Sequence, residues 1–313
     1  MLRFIIGRLA AGVLLILSVC TVVFLATALI PRHPEVNLLG PSASPEAIAS
    51  VRASFGLDQP LTVQYLSWLL DAVRGDFGDS WSTSQAVLPQ LAVGVGRTLS
   101  LVLVAFLLAV VVGVGLGLLS ALKPNGPLDR ALSVVTAALQ AIPEFWLALL
   151  FITAFAVMVP LLPASGYVEM SSSFSGWLVS ITLPAAALGL PVGASICRHT
   201  RSAVIRELSN DYVRASVARG FARSWILGRR VLRNSLPSLA TILGLQALIL
   251  ISVSVIVESV FAIRGLGTLL LNAVSEQDTP MLLGAVAVFT VLVVSISVLT
   301  DIGRALLDPR MRV

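Results

Sequence analysis

Six long apolar stretches, at residues 9–30, 98–122, 131–159, 177–197, 238–261 and 281–300, dictate what this chain can become. Roughly 20 helical residues cross the hydrocarbon of a bilayer, and each stretch is long enough. Four of them carry no charged residue, while the third contains Glu144 and the fifth contains Glu258. Unpaired backbone groups are too costly in lipid for anything but helices or closed barrels. Barrel strands alternate apolar and polar residues, and these runs are continuously apolar, so helices are predicted. Only 12% of the 313 residues are charged, about half of what a soluble surface needs. A soluble enzyme, a disordered regulator and a nucleic-acid-binding domain are thereby excluded. The expected fold is an all-α integral membrane protein with six transmembrane helices.

Charge sets the orientation. If both termini are cytoplasmic, the inner pieces 1–8, 123–130, 198–237 and 301–313 hold sixteen of the 21 basic residues. The outer pieces hold Arg32, Arg52, Arg74, Arg97 and Arg264. That asymmetry satisfies the positive-inside rule and places both termini in the cytoplasm. Arg3, Arg8 and the later Ala26-Thr27-Ala28 imitate a signal peptide. The apolar run between them has 22 residues, longer than the roughly 7–15 of a signal core, so it is read as a retained helix. Cys20 and Cys197 lie in or beside apolar runs, and His33 and His199 fall on opposite sides. These support neither a disulfide framework nor a metal site nor a nucleophile–base pair.

The chain divides into 1–30 (N-terminal segment and first span), an extracytoplasmic helical region 31–97, and a membrane domain 98–313. In the outer region, Ser44-Pro45 is a helix start and Gly56 a stop, with Ile48, Val51 and Phe55 on one face. A second amphipathic helix begins at Leu61, with Leu61, Tyr65, Trp68, Leu69 and Val73 on one side. This region is either a cap packed on the membrane domain or a docking surface for an external partner. In the second span, Gly113-x-x-x-Gly117 permits close helix packing.

The most informative segment is the cytoplasmic stretch 198–237, which carries nine arginines against Glu207 and Asp211. Anionic lipid headgroups account for the arginines alone. They do not account for a short helix among them, capped by Asn210 or Ser209, with Asp211 in its first turn, Arg219 in its last and Gly220 ending it. Ala215, Ser216 and Ala218 are small and allow another surface to approach closely.

Arg214-Ala215-Ser216-x-x-x-Gly220, followed by Leu236-Pro237, resembles the EAA loop of binding-protein-dependent ABC importer permeases. Arg214 stands at that motif's Glu position, and Pro237 falls four residues later than the general spacing, about one helical turn. The resemblance spans nearly the whole chain and is closest to dipeptide, oligopeptide and nickel permeases. It is carried by MLRFIIGRL, GLDQPLTVQYLSWLLDAVRGDFGDS, IPEFWLALL, LPASGY, DYVRASVARG, LRNSLP, VESVFAIRGLG and LDPRMRV, in that order. Arg264 stands where such permeases commonly have proline, and Glu144 where a small residue is usual.

The resemblance implies a type I importer permease fold in a bacterial cytoplasmic membrane. It implies ATPase coupling through Asp211, Tyr212, Arg214, Ala215, Ser216, Ala218, Arg219 and Gly220. It further implies a second homologous permease, two ATPase subunits and an extracytoplasmic binding protein as partners, with membrane lipid around the spans and no nucleic acid. A P-loop needs G-x-x-x-x-G-K-[ST], and the sole lysine, Lys123, precedes Pro124. ATP and magnesium are therefore expected on partner subunits, with no cofactor in this chain. Intramembrane acids are costly and usually face a cavity or a partner, which makes Glu144 and Glu258 candidate pathway residues. Gln140 and Gln246 join them, with interhelical hydrogen bonding as the alternative. Import of di- or oligopeptides is expected; nickel or metal-chelate import and an ion-coupled secondary transporter are the alternatives.

Overall fold

The computed structural model describes residues 2–29, 39–40 and 43–307. Arg32, His33 and nearly all of the LDPRMRV motif lie outside them. Among the described residues these α-helices run in chain order, and no strand is present. They are α1 (Leu2–Leu29), α2 (Pro45–Ser54), α3 (Leu61–Val73), α4 (Val87–Leu122), α5 (Pro127–Ala141) and α6 (Glu144–Ile152). Then come α7 (Phe174–Leu208), α8 (Asp211–Ala218), α9 (Arg223–Ile226), α10 (Leu232–Val260), α11 (Leu266–Ser275) and α12 (Thr279–Leu307). Wide π turns extend α6 over Thr153–Met158 and lead into α10 over Leu227–Val231. Five apolar stretches are long enough to cross a membrane, and α5 with α6 supply a sixth as a bent pair.

Residues 131–159, read as one apolar stretch, form two helices that break at Pro143. The two halves meet at a bend of 100° at Ile142-Pro143. Proline disfavours helical backbone in the residue before it, and Ile142 is extended at φ −89°, ψ 124°. The other spans run beyond their apolar cores. α7 continues through Arg198, Arg201 and Arg206 to Leu208, and α10 contains Pro237, so much of 198–237 is helix. Arginine has good helix propensity, and residues 198–208 contain no glycine or proline to stop α7.

Two compact units divide the chain. The first is built on Leu99–Ile263 with residues from Ser295 onward. Its axis is α7, much the most buried of the long helices. α4 meets α7 along a ladder of small residues at four-residue spacing. A Cβ on Gly189 would lie 2.6 Å from the Ala105 carbonyl oxygen, and one on Gly113 would lie 2.6 Å from that of Gly193. One on Gly117 would lie 2.7 Å from the Cys197 carbonyl oxygen. Lipid tails give helices no hydrophobic reason to associate, so such backbone approach supplies the attraction by dispersion. The packing role read for Gly113 and Gly117 is what the structure displays. α6 packs against both α7 and α10.

The second unit comprises Ile6–Thr98 and Arg264–Val294. Its core gathers Val87, Leu91, Leu266, Ala273, Met281 and Ala285. Ser44 caps α2 as anticipated, accepting from the Ala47 N–H at 3.2 Å, with Pro45 in the first turn and Gly56 beyond the end at φ +67°. On α3 the apolar face is narrower than the pattern suggests. Tyr65, Trp68 and Leu69 are half-buried, whereas Leu61 and Val73 are exposed. Tyr65 reaches α1 through a 2.7 Å hydrogen bond between its hydroxyl and that of Thr21, and through the Phe24 ring. Asp278 organises the loop before α4: it accepts from the Ser80 and Ser82 hydroxyls at 2.5 and 3.1 Å, and it caps α12 through the Met281 N–H at 3.2 Å.

Candidate functional site

The interval between α7 and α10 holds the short helix read from the sequence. α8 begins after Asn210, whose backbone is extended at φ −71°, ψ 149°. Its side chain does not cap the helix; it donates instead to the Glu207 carboxylate at 3.1 Å. The Tyr212 hydroxyl donates to the same Glu207 oxygen at 2.8 Å. Burial pushes the Tyr212 phenol above its ordinary value, and the neighbouring carboxylate adds to that shift. Glu207, the final acid of α7, thus ties down the start of α8.

The end of α8 is closed by backbone geometry. Gly220 takes φ +78°, its N–H donates to the Val217 carbonyl at 2.9 Å, and the Phe221 N–H donates to Ser216 at 3.2 Å. This pair of bonds is a Schellman closure, which needs the left-handed conformation that glycine adopts without strain.

Two faces result. Val213 and Ser216 point inward, Val213 joining a cluster with Ala121, Val204, Ile226 and Val231. Asp211, Arg214, Ala215, Val217, Ala218, Arg219 and Gly220 are exposed, and Tyr212 is half-buried. Ser216 is therefore no part of a small-residue contact surface. Its hydroxyl is fully buried, donates to the Tyr212 carbonyl at 2.6 Å and accepts from Arg230 Nη1 at 2.7 Å. The Arg230 guanidinium sits over the Phe221 and Trp225 rings, 5.6 and 5.2 Å from their centroids. Those rings stack at 4.5 Å. Arg214 and Asp211, 3.6 Å apart on the exposed face, form a solvated pair that holds little.

The first unit also contains an ion pair that the sequence reading missed. Asp129, in the first turn of α5, is almost fully buried and accepts from Arg201 Nε and Nη2 of α7 at 2.5 and 2.7 Å. The Asn125 N–H at 2.7 Å and the Ser120 hydroxyl complete its shell. One carboxylate thereby joins the ends of α4, α5 and α7. The signal was present, because Asp129 is the lone acid in a short basic loop and follows Gly126-Pro127, a helix start.

The four pathway candidates are placed separately. Gln140 accepts from Arg198 Nη2 and donates to the Thr136 carbonyl at 3.2 Å. Gln246 is buried and donates to the Ser195 hydroxyl at 3.0 Å. Both glutamines thus hold neighbouring helices to α7, as the alternative reading had it. Glu144 is half-buried in the first turn of α6, where a helix N-terminus favours an acid. Glu258 is fully buried within α10.

A multi-span helical bundle with a short helix displayed between two spans is the architecture expected from the sequence, and the comparisons say to which family it belongs. Residues 1–102 match the N-terminal model, and residues 113–313 the main model, of binding-protein-dependent transport system inner membrane components. The chain belongs to that family. It is 35% identical over 312 residues to a Brucella abortus protein whose name describes a peptide transport system permease, spanning 100% of this chain and 99% of that one. It is 32% identical to the glutathione transport system permease of Salmonella choleraesuis, over 100% and 99% of the two chains. Among solved structures, an inward-facing form of the MetNI methionine ABC transporter matches with a TM-score of 0.59 at 21% identity. That match covers 70% of this chain and 96% of that one. The structural likeness establishes the importer permease fold, type I as anticipated.

Proposed function

We propose that this protein is one permease of an ATP-driven, binding-protein-dependent importer of di- or oligopeptides in a bacterial cytoplasmic membrane. The observation that carries the coupling part is the outward face of α8. It is a short, rigidly closed helix with small side chains at Ala215 and Ala218, and its inner face is anchored by Ser216 and Val213. One of two ATPase subunits, holding ATP and magnesium, docks on that face. A second homologous permease completes the pathway, and an extracytoplasmic binding protein delivers the substrate. Closure of the ATPases moves α8, and the anchors pass the movement to α7 and α10, so that access alternates between the two sides. The names of the full-length relatives favour peptides over nickel or a metal chelate.

The test is gentle extraction of the tagged chain and identification of its companions. A second permease and P-loop ATPases are expected to co-purify, and the reconstituted assembly is expected to take up peptide only with ATP and binding protein. A chain that transports when reconstituted alone overturns the proposal, and Glu144 and Glu258 then become the candidates for ion coupling.

A further inference from the structure

In the second unit, α1, α2, α3, the loop after α3 and the start of α12 enclose a cavity of about 400 Å³. Its walls present Phe24, Phe55, Trp68 and Trp81, the Phe55 and Trp81 rings stacked at 5.0 Å, together with the carboxylates of Asp71 and Asp76. Among the described residues no Lys, Arg or His lines it. Asp76 accepts from the Gly78 N–H at 2.8 Å, and Arg74 approaches Asp71 only at 3.7 Å, between exposed side chains. Arg52 lies 3.5 Å from Asp58. Cavities of a few hundred Å³ with apolar walls and a few convergent polar groups are the usual form of small-ligand sites. Aromatic faces and carboxylates both attract a cation.

We propose that this cavity receives the amino-terminal end of a peptide before translocation. The α-ammonium lies over the aromatic rings and against Asp71 and Asp76. The substrate class rests on the peptide reading above, whereas the preference for a cation rests on the cavity alone.

The test is calorimetric titration of the assembled transporter in lipid nanodiscs, without binding protein, using trialanine, N-acetyl-trialanine and ethylammonium. Trialanine is expected to bind saturably, and acetylation is expected to weaken it about tenfold or more, as loss of a cation–π and charge contact implies. Asp71→Asn with Asp76→Asn is expected to weaken trialanine to the same extent. Ethylammonium, a cation alone, is expected to bind the wild type and to be weakened likewise by the double variant. Equal binding of the acetylated peptide overturns the proposal without reliance on any variant, and so does unaltered binding by the double variant or no binding by the wild type. ATP-driven uptake of trialanine by proteoliposomes separates the two readings. Uptake without the predicted binding overturns the cavity's role alone, whereas binding without uptake overturns the import reading and leaves the cation site standing.

Discussion

Two parts of this protein are built from short helices joined at glycine turns, yet they are closed to different degrees. In the 198–237 segment, α8 turns at Gly220 into α9, and its inner face is fixed by a fully buried serine, a stacked arginine and a carboxylate shared by two donors. In the outer region, α2 turns near Gly56 toward α3, and neither helix contains a fully buried residue. Its aromatic side chains line a cavity instead of filling a core. A segment whose polar groups are satisfied internally moves as one body with the helices that anchor it. A region with half-buried aromatics and solvated carboxylates retains capacity for contacts from outside.

The largest effect is expected where the inner network is most buried. Asp129→Ala leaves the Arg201 guanidinium without its carboxylate and is expected to destabilise the purified protein by about 3 kcal/mol. The thermal melting midpoint in detergent reads this; a midpoint like the wild type's would remove the clamp from the account. Arg230→Ala comes next. It loses the Ser216 hydrogen bond and the stacking on Phe221 and Trp225, about 1–2 kcal/mol together. The expected result is normal assembly with ATPases but severalfold less peptide moved per ATP hydrolysed, measured in proteoliposomes. Gly220→Ala forces a β-carbon into left-handed backbone at φ +78°, at a cost of about 1 kcal/mol, and is expected to fray the end of α8. Hydrogen exchange at residues 216–221 should rise relative to α7, and unchanged protection there would show that the closure does not depend on glycine. The smallest effect belongs to the outer region. Asp71→Asn with Asp76→Asn is expected to change stability by less than about 0.5 kcal/mol, as for surface substitutions without buried partners. A large loss of melting temperature in that variant would erase the contrast between the two regions.

Much of the architecture was legible because it follows from solvent. Apolar length marks the spans, and Ser44-Pro45, Gly56 and Gly220 mark helix ends through backbone requirements that act locally. The bend at Ile142-Pro143 was written in the sequence too, since proline disrupts a helix locally, but its angle of 100° was not. α11 was not anticipated, since its ten residues are too few to span a bilayer and its partners Val87, Leu91 and Met281 lie far away in sequence. The same limit applies to the candidate site. The existence of α8 followed from its caps and small residues, whereas the inward orientation of Ser216 and the reach of Arg230 depend on how α8 settles against α9 and the π turns before α10. Asp129 and Arg201 lie 72 residues apart, and no local pattern pairs them. Gln140 and Gln246 were recognisable as polar groups in apolar helices, but only the packed structure assigns Arg198 and Ser195 as their partners.

The account turns on the exposed face of α8 being the surface through which ATP-driven motion enters this chain. The most direct measurement is site-specific photo-crosslinking in the native membrane from a photoreactive residue placed at Ala215 or Ala218, with Ser216 as the inward control. The account predicts capture of a P-loop ATPase from 215 and 218 and none from 216. Failure of both outward positions to capture the ATPase, while it still co-purifies with the chain, would contradict it.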